Sequence, residues 1–202
     1  MYRKYPFTIF NTPIISGIFH YLTLFFMRLT DWRVDGTLPD LPKFVLIGAP
    51  HTSNWDFVLF LGVIFTLRAN VKFMGKAELF RNPFGWFFYY CGGVPVDRKK
   101  STGLVEQMVE ACNKSDHFIL TIAPEGTRHH VSEWKRGFYH IAKGTGIPIV
   151  MAQVDGKHKT VHILKDVFHP TDDIEIDMQT IRGSFDGMVG INPRRKYITL
   201  ER

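Results

Sequence analysis

The chain has 202 residues, 45% of them hydrophobic and 14% aromatic, a net charge of +6 and a pI near 9.3. That size and composition suit one globular domain with a proper core, and two cysteines, Cys91 and Cys112, exclude a disulfide framework and point to a reducing compartment. The basic balance favours anionic partners: nucleic acid, phosphorylated metabolites or an anionic lipid surface.

The first element is an apolar stretch over residues 14–29. Ile14, Ile18, Leu22, Phe25 and Leu29 share one side, and Ser16, His20, Thr23 and Thr30 another. This predicts an amphipathic helix, suited to a membrane interface or to the protein's own core. The width of the apolar arc, with Phe19, Tyr21, Phe25 and Phe26, favours the interface. The run is shorter than the ~20 apolar residues of a spanning helix. No small-residue cleavage site follows it, so it does not read as a cleavable signal.

Turns at Asp35-Gly36 and at residues 39–42 lead into a short apolar strand over 43–49. His51-Thr-Ser-Asn-Trp-Asp56 follows, and then a helix over 56–68, apolar nearly all round and so buried or touching lipid. A histidine with a carboxylate on its second ring nitrogen is a general base with its orienter, suited to taking a proton from a hydroxyl. The His-x4-Asp spacing alone is weak, since chance yields it often; its company further along raises its weight.

Residues 71–74 predict a second strand. Between Lys76 and Arg98 run Lys-Ala-Glu-Leu-Phe, Asn-Pro-Phe-Gly and Gly-Gly-Val-Pro-Val-Asp-Arg. The Arg98 guanidinium can grip an anion at two points, although an isolated Asp-Arg pair is more often plain surface charge. A helix is predicted over 101–113, capped by Ser101 or Thr102, with Leu104, Val105, Met108, Val109 and Cys112 on one stripe. The strand over 118–122 runs into Pro124-Glu125-Gly126-Thr127-Arg128. Glycine allows a tight turn, amides and the Thr127 hydroxyl donate, and Arg128 adds charge, which together suit a phosphate. Lys135 and Arg136 add positive potential. A helix over 133–143, ended by Gly144 and Gly146, precedes strands over 147–152 and 160–164. The last thirty residues are ambiguous, and Arg194-Arg195-Lys196 reads as a solvated turn ahead of a lipid-facing patch.

Strands alternate with helices and most strands are apolar throughout. The predicted fold is α/β: a single domain with a mostly parallel or mixed central sheet flanked by helices, over residues 31–202, preceded by the amphipathic element of residues 1–30. His129 and His130 lack ligand-spaced partners, so no metal site is expected. The chain has no Gly-x-Ser-x-Gly elbow, Walker loop, Gly-x-Gly-x-x-Gly, Cys-x-x-Cys pair or nucleic-acid motif.

Taken in order, these blocks resemble the glycerolipid acyltransferases, the 1-acylglycerol-3-phosphate or lysophospholipid acyltransferase family, over residues 44–152. His51 and Asp56 match the first block. Lys76, Glu78, Leu79, Pro83, Gly85 and Arg98 match the second, Glu125, Gly126, Thr127 and Arg128 the third, and Pro148 the fourth. Pro50 stands where the family often has Asn, His129 and His130 follow the third block, and the later proline of the fourth is replaced near Met151. These departures leave the acyl acceptor open.

The resemblance implies an acyl transfer with His51 as base and Asp56 as its orienter. Arg98, Gly126, Thr127 and Arg128 would hold the acceptor phosphate, with Glu125 on its glycerol part and Lys76 and Lys135 in support. Partners would be a lysophospholipid, acyl-CoA or acyl carrier protein, and an anionic membrane surface at its cytoplasmic face, with no nucleic acid and no cofactor. Two other readings are an O-acyltransferase for a different hydroxylated lipid and a non-catalytic basic lipid-binding protein. The last leaves His51, Asp56 and the Glu125 turn without a purpose.

Overall fold

The computed structural model describes residues 7–81, 83–96, 103–129 and 131–192, without the Lys76 side chain. In chain order the elements are α1 (Pro13–Leu29), β1 (Arg33–Asp35), β2 (Lys43–Ala49), α2 (Trp55–Thr66) and β3 (Val71–Lys76). A 3-10 turn (Ala77–Phe80), α3 (Gly85–Tyr90), β4 (Gly93–Val96), α4 (Leu104–Asn113) and β5 (Phe118–Ile122) follow. The series closes with α5 (Gly137–Thr145), β6 (Ile149–Asp155), β7 (Thr160–Ile163) and α6 (Ile174–Gly183).

Seven strands form one sheet in the order β1-β7-β6-β2-β5-β3-β4. Every neighbouring pair is parallel except β6 with β7. The sheet is therefore mixed, as its apolar strands predict. β2 is central, with Val45 opposite Leu120 of β5 and Ile149 of β6. Its residues alternate between two cores. Phe44 and Leu46 join a cluster with Met27, Leu59, Val63 and Phe65 from α1 and α2. Val45, Ile47 and Ala49 join the other, with Met108 of α4, Ile141 of α5 and Ile181 of α6. A strand buried on both faces has no room for polar alternation, which is why β2 reads as one apolar run.

α1 sits on α2 with the side opposite to its apolar stripe. Phe19 stacks on Phe65 at 5.0 Å. His20 Nδ1 donates to the Phe65 carbonyl at 2.8 Å. Met27 is buried over Gly62, where a β-carbon would come within 3.1 Å of its sulfur. Ile14, Ile18, Leu22, Phe25 and Leu29 are all exposed. The helix packs inward through Phe19, His20 and Met27 and leaves the wider apolar stripe outward. Among the described residues no helix is long and apolar enough to cross a membrane.

Several elements differ from their sequence expectation. α5 starts at Gly137 rather than 133, because the preceding residues have tertiary duties. Trp134 is buried against Phe185, with ring centroids 5.2 Å apart, and Lys135 N–H donates to the Pro124 carbonyl at 2.9 Å. α5 runs through Gly144 and stops at Gly146, whose φ of +68° is the left-handed cap. β1, α3, β4 and α6 went unread. β1 has three residues and gains its identity only by pairing Val34 with Val161. α6 carries Ile174, Met178 and Ile181 on one stripe, and Asp173 caps it by accepting from the N–H groups of Glu175 and Ile176. Ser101, Thr102 and residues 194–196 lie outside the described residues.

α6 is fastened to α5 through a buried carboxylate. Asp177, 3% exposed, accepts from the Tyr139 hydroxyl at 2.8 Å, the Thr171 N–H at 2.6 Å and the Thr171 hydroxyl at 2.9 Å. Burial pushes its pKa up, but the Thr171 and Tyr139 hydrogen bonds outweigh burial and hold it below the ordinary carboxylate value. Burial, and then Asp177, push the Tyr139 phenol up to about 12. A lowered folded-state pKa contributes stability that is present above the unfolded value and lost as pH falls through the folded one. Asp177→Asn should therefore cost about 1–3 kcal/mol at neutral pH, with the gap to wild type narrowing below about pH 4. Thermal melts across pH 3–7 check both.

Candidate active site

Four adjacent parallel strands, β2, β5, β3 and β4, end on one edge of the sheet, and the expected site residues follow those ends. This is where open α/β sheets bind ligands. His51 follows β2, Glu125 and Arg128 follow β5, and Lys76 closes β3. β4 delivers the chain to this edge at Val96, registered with Lys76. Arg98 itself lies outside the described residues.

His51 Nδ1 is 2.9 Å from Asp56 Oδ2, with the side chains 29% and 9% exposed. The same carboxylate oxygen accepts from the backbone N–H of Thr52 at 2.5 Å and of Ser53 at 2.7 Å. Asp56 sits in the first turn of α2 and reaches back to loop amides three and four residues earlier, ahead of the helix. It therefore fixes the loop and the imidazole together. With Nδ1–H donating to Asp56, the Nε2 lone pair is left as the base.

Glu125 crosses from the neighbouring strand. It is 6% exposed, and its Oε1 accepts from the His51 N–H at 2.9 Å. Gly126 adopts φ +65°, which glycine alone takes without cost, and its N–H closes the turn on the Ala123 carbonyl at 3.1 Å. A β-carbon there would meet Lys135 carbons at 2.8 Å, so the lysine side chain lies directly over the turn. Lys135 N–H is tied to the Pro124 carbonyl. The Thr127 hydroxyl accepts from His129 N–H at 3.3 Å, and Arg128 is exposed. His51, Asp56, Glu125, Gly126 and Lys135 are thus brought together in space. Glu125 bracing the His51 backbone was not read from the sequence, nor were the Thr52 and Ser53 amides. No local signal in the sequence pointed to either.

Beneath the pair lies a cavity of about 280 Å³ between α2 and the sheet. Its wall descends β2 from His51 through Gly48 to Leu46, with Phe60 and Val63 of α2 opposite. His51, Asp56 and Thr121 are the polar side chains in a lining that is otherwise apolar. A β-carbon on Gly48 would meet nothing within 4 Å, so the glycine keeps this space open. Periodicity showed α2 as apolar all round but could not show that one of its faces borders a void.

An imidazole paired to a carboxylate at an apolar cavity suits an enzyme that activates a hydroxyl beside a lipid chain. The chain belongs to the acyltransferase family, which matches residues 34–154. It is similar to the 1-acyl-sn-glycerol-3-phosphate acyltransferase of Streptococcus pneumoniae, 30% identical over 135 residues, which is 62% of this chain and 50% of that protein. The chain thus spans about half the length of the curated relative it matches. The crystal structure of the 1-acyl-sn-glycerophosphate (LPA) acyltransferase PlsC from Thermotoga maritima shares the fold. Its TM-score is 0.61 at 19% identity, covering 85% of this chain and 76% of that one.

Proposed function

We propose that this protein transfers a fatty acyl group from an acyl thioester, acyl-CoA or acyl carrier protein, to the hydroxyl of a lysophospholipid, 1-acylglycerol-3-phosphate above all, in phospholipid biosynthesis. The observation that carries the reading is the His51–Asp56 pair at the head of an apolar cavity, with Glu125 of the next turn accepting from the His51 N–H.

Nε2 of His51 takes the acceptor's hydroxyl proton as the oxygen attacks the thioester carbon. The carbon–sulfur bond breaks when the tetrahedral intermediate collapses, and His51 returns the proton to the departing thiolate. Asp56 holds the tautomer and balances the imidazolium. Neither a covalent enzyme intermediate, a metal nor a cofactor enters this scheme. Arg98, Arg128, Gly126 and Thr127 hold the acceptor phosphate, with Lys76 and Lys135 adding charge. Glu125 aligns the glycerol end while bracing His51. The acyl chain lies in the cavity beneath.

Residues 1–30 serve as the membrane-contacting element and residues 31–202 as the acyltransferase domain. The inside-out mounting of α1 supports this: an exposed apolar stripe costs solvation in water and gains it in a lipid interface, and the basic charge favours an anionic surface. The attachment is read as peripheral, at the cytoplasmic face, where two free cysteines suit a reducing compartment.

His51→Ala should lose ~10²–10⁴-fold in acyl transfer, measured with labelled acyl-CoA and acyl carrier protein against a panel of lysolipids. In the same assay Arg98→Ala and Arg128→Ala should weaken use of phosphorylated acceptors more than thioester hydrolysis; equal losses would remove the phosphate role. Gly48→Leu projects into open space, so melting should be unchanged while preference moves to shorter acyl chains. An unaltered chain-length profile would take the acyl chain out of the cavity. Deleting α1 would strip Met27 from the core, so the cleaner membrane test is Phe25→Ser with Leu29→Ser. That variant should sediment less with anionic vesicles and keep its fold by circular dichroism.

A further inference from the structure

The last described segment, residues 184–192, returns from α6 to the catalytic edge of the sheet, and it lies beyond the family match, which stops at 154. Phe185 anchors its start, fully buried against Trp134. Val189 then accepts a hydrogen bond from Gly156 N–H, just past β6, at 2.5 Å. Gly190 is buried in a gap one backbone wide: a β-carbon on it would collide with the Thr52 hydroxyl and methyl, and one on Gly156 would collide with the Gly190 carbonyl. Asn192 N–H donates to Thr52 Oγ1 at 3.1 Å.

Thr52 is therefore gripped from outside its own loop. It is 4% exposed, and its backbone N–H is the one that donates to Asp56 Oδ2 at 2.5 Å. A shift of Thr52 moves a hydrogen bond of the same oxygen that holds His51 Nδ1. Side-chain packing on one side of Thr52 is thereby coupled to imidazole placement on the other.

We propose that residues 188–192 form a strap that positions the catalytic pair through Thr52, making Thr52 and Gly190 positioning residues for the reaction. This rests on the reading that His51 and Asp56 carry the chemistry. The strap seats the loop from the carboxyl edge of β6, while Glu125 seats it from β5. A ligand or partner that displaced the strap would slacken the pair without touching either substrate.

The test uses the full chain with Thr52→Val, Thr52→Ser and Gly190→Ala. Each is measured for kcat and for KM toward labelled acyl-CoA and 1-acylglycerol-3-phosphate, for melting, and by NMR of the ¹⁵N-labelled His51 ring. Misplacing a reacting group by about an ångström can cost ~10²-fold, so Thr52→Val should lower kcat ~10- to 100-fold with both KM values held. Thr52→Ser keeps the hydroxyl and should recover most of the rate. The ring signals in Thr52→Val should move toward those of Asp56→Asn. Gly190→Ala, which alters no group of the loop itself, should repeat the kcat loss and the shift. Wild-type kcat and ring signals in Thr52→Val and Gly190→Ala would overturn the strap, as would equal losses in the Val and Ser variants. The ring signals need no turnover: if wild type moves no acyl group and the signals still shift, the activity reading falls and the strap stands.

Discussion

One oxygen of Asp56 accepts from the His51 ring and from the amides of Thr52 and Ser53. A carboxylate with three donors cannot move without breaking several charge-assisted hydrogen bonds, each stronger than its neutral counterpart. The loop, the start of α2 and the imidazole are locked as one body. The surrounding structure acts on that body. Glu125 holds it by the His51 backbone, and the C-terminal segment holds it by Thr52.

The sheet explains why these groups meet. β2 and β5 are parallel neighbours, so residues that follow their ends emerge side by side although 74 positions apart. The antiparallel step at β6–β7 turns the chain back at the same edge, and Gly156 there receives the returning tail. The two cores divide the work. The layer of α4, α5 and α6 holds the cluster around Phe138 and Ile141 and carries the Asp177 fastening, whereas the layer of α1 and α2 contains the cavity. A buried core on that face backs the strands from which the proposed base is held.

α1 illustrates how the same pattern can be folded two ways. Amphipathicity predicts a helix with a wide apolar arc, and an ordinary domain would turn that arc inward. Here Phe19, His20 and Met27 make the inner contacts, and Ile14, Ile18, Leu22, Phe25 and Leu29 face out. Trp55, Phe57 and Val58 at the start of α2 are exposed as well. An apolar surface on both helices is what the proposed lipid contact requires.

Local order carried much of what could be read in advance. β2 and β5 were legible end to end because both faces of each are buried, so neighbouring residues share one character. His51-x4-Asp56 and Glu125-Gly-Thr-Arg128 were legible because strand–loop–helix junctions place such groups within a few residues of each other, where periodicity and turn chemistry apply. The bounds of α5, the existence of β1 and the grip of residues 188–192 on Thr52 were not. They depend on partners far away in the chain: Trp134 with Phe185, Val34 with Val161, and Thr52 with Asn192 across 140 positions. A void is likewise invisible in a string of letters, since Gly48 declares flexibility and only the spacing of α2 from the sheet turns it into open space. The proposed reacting groups are thus a property of short-range spacing, whereas their bracing and the space beneath them arise from packing between segments that share no local signal.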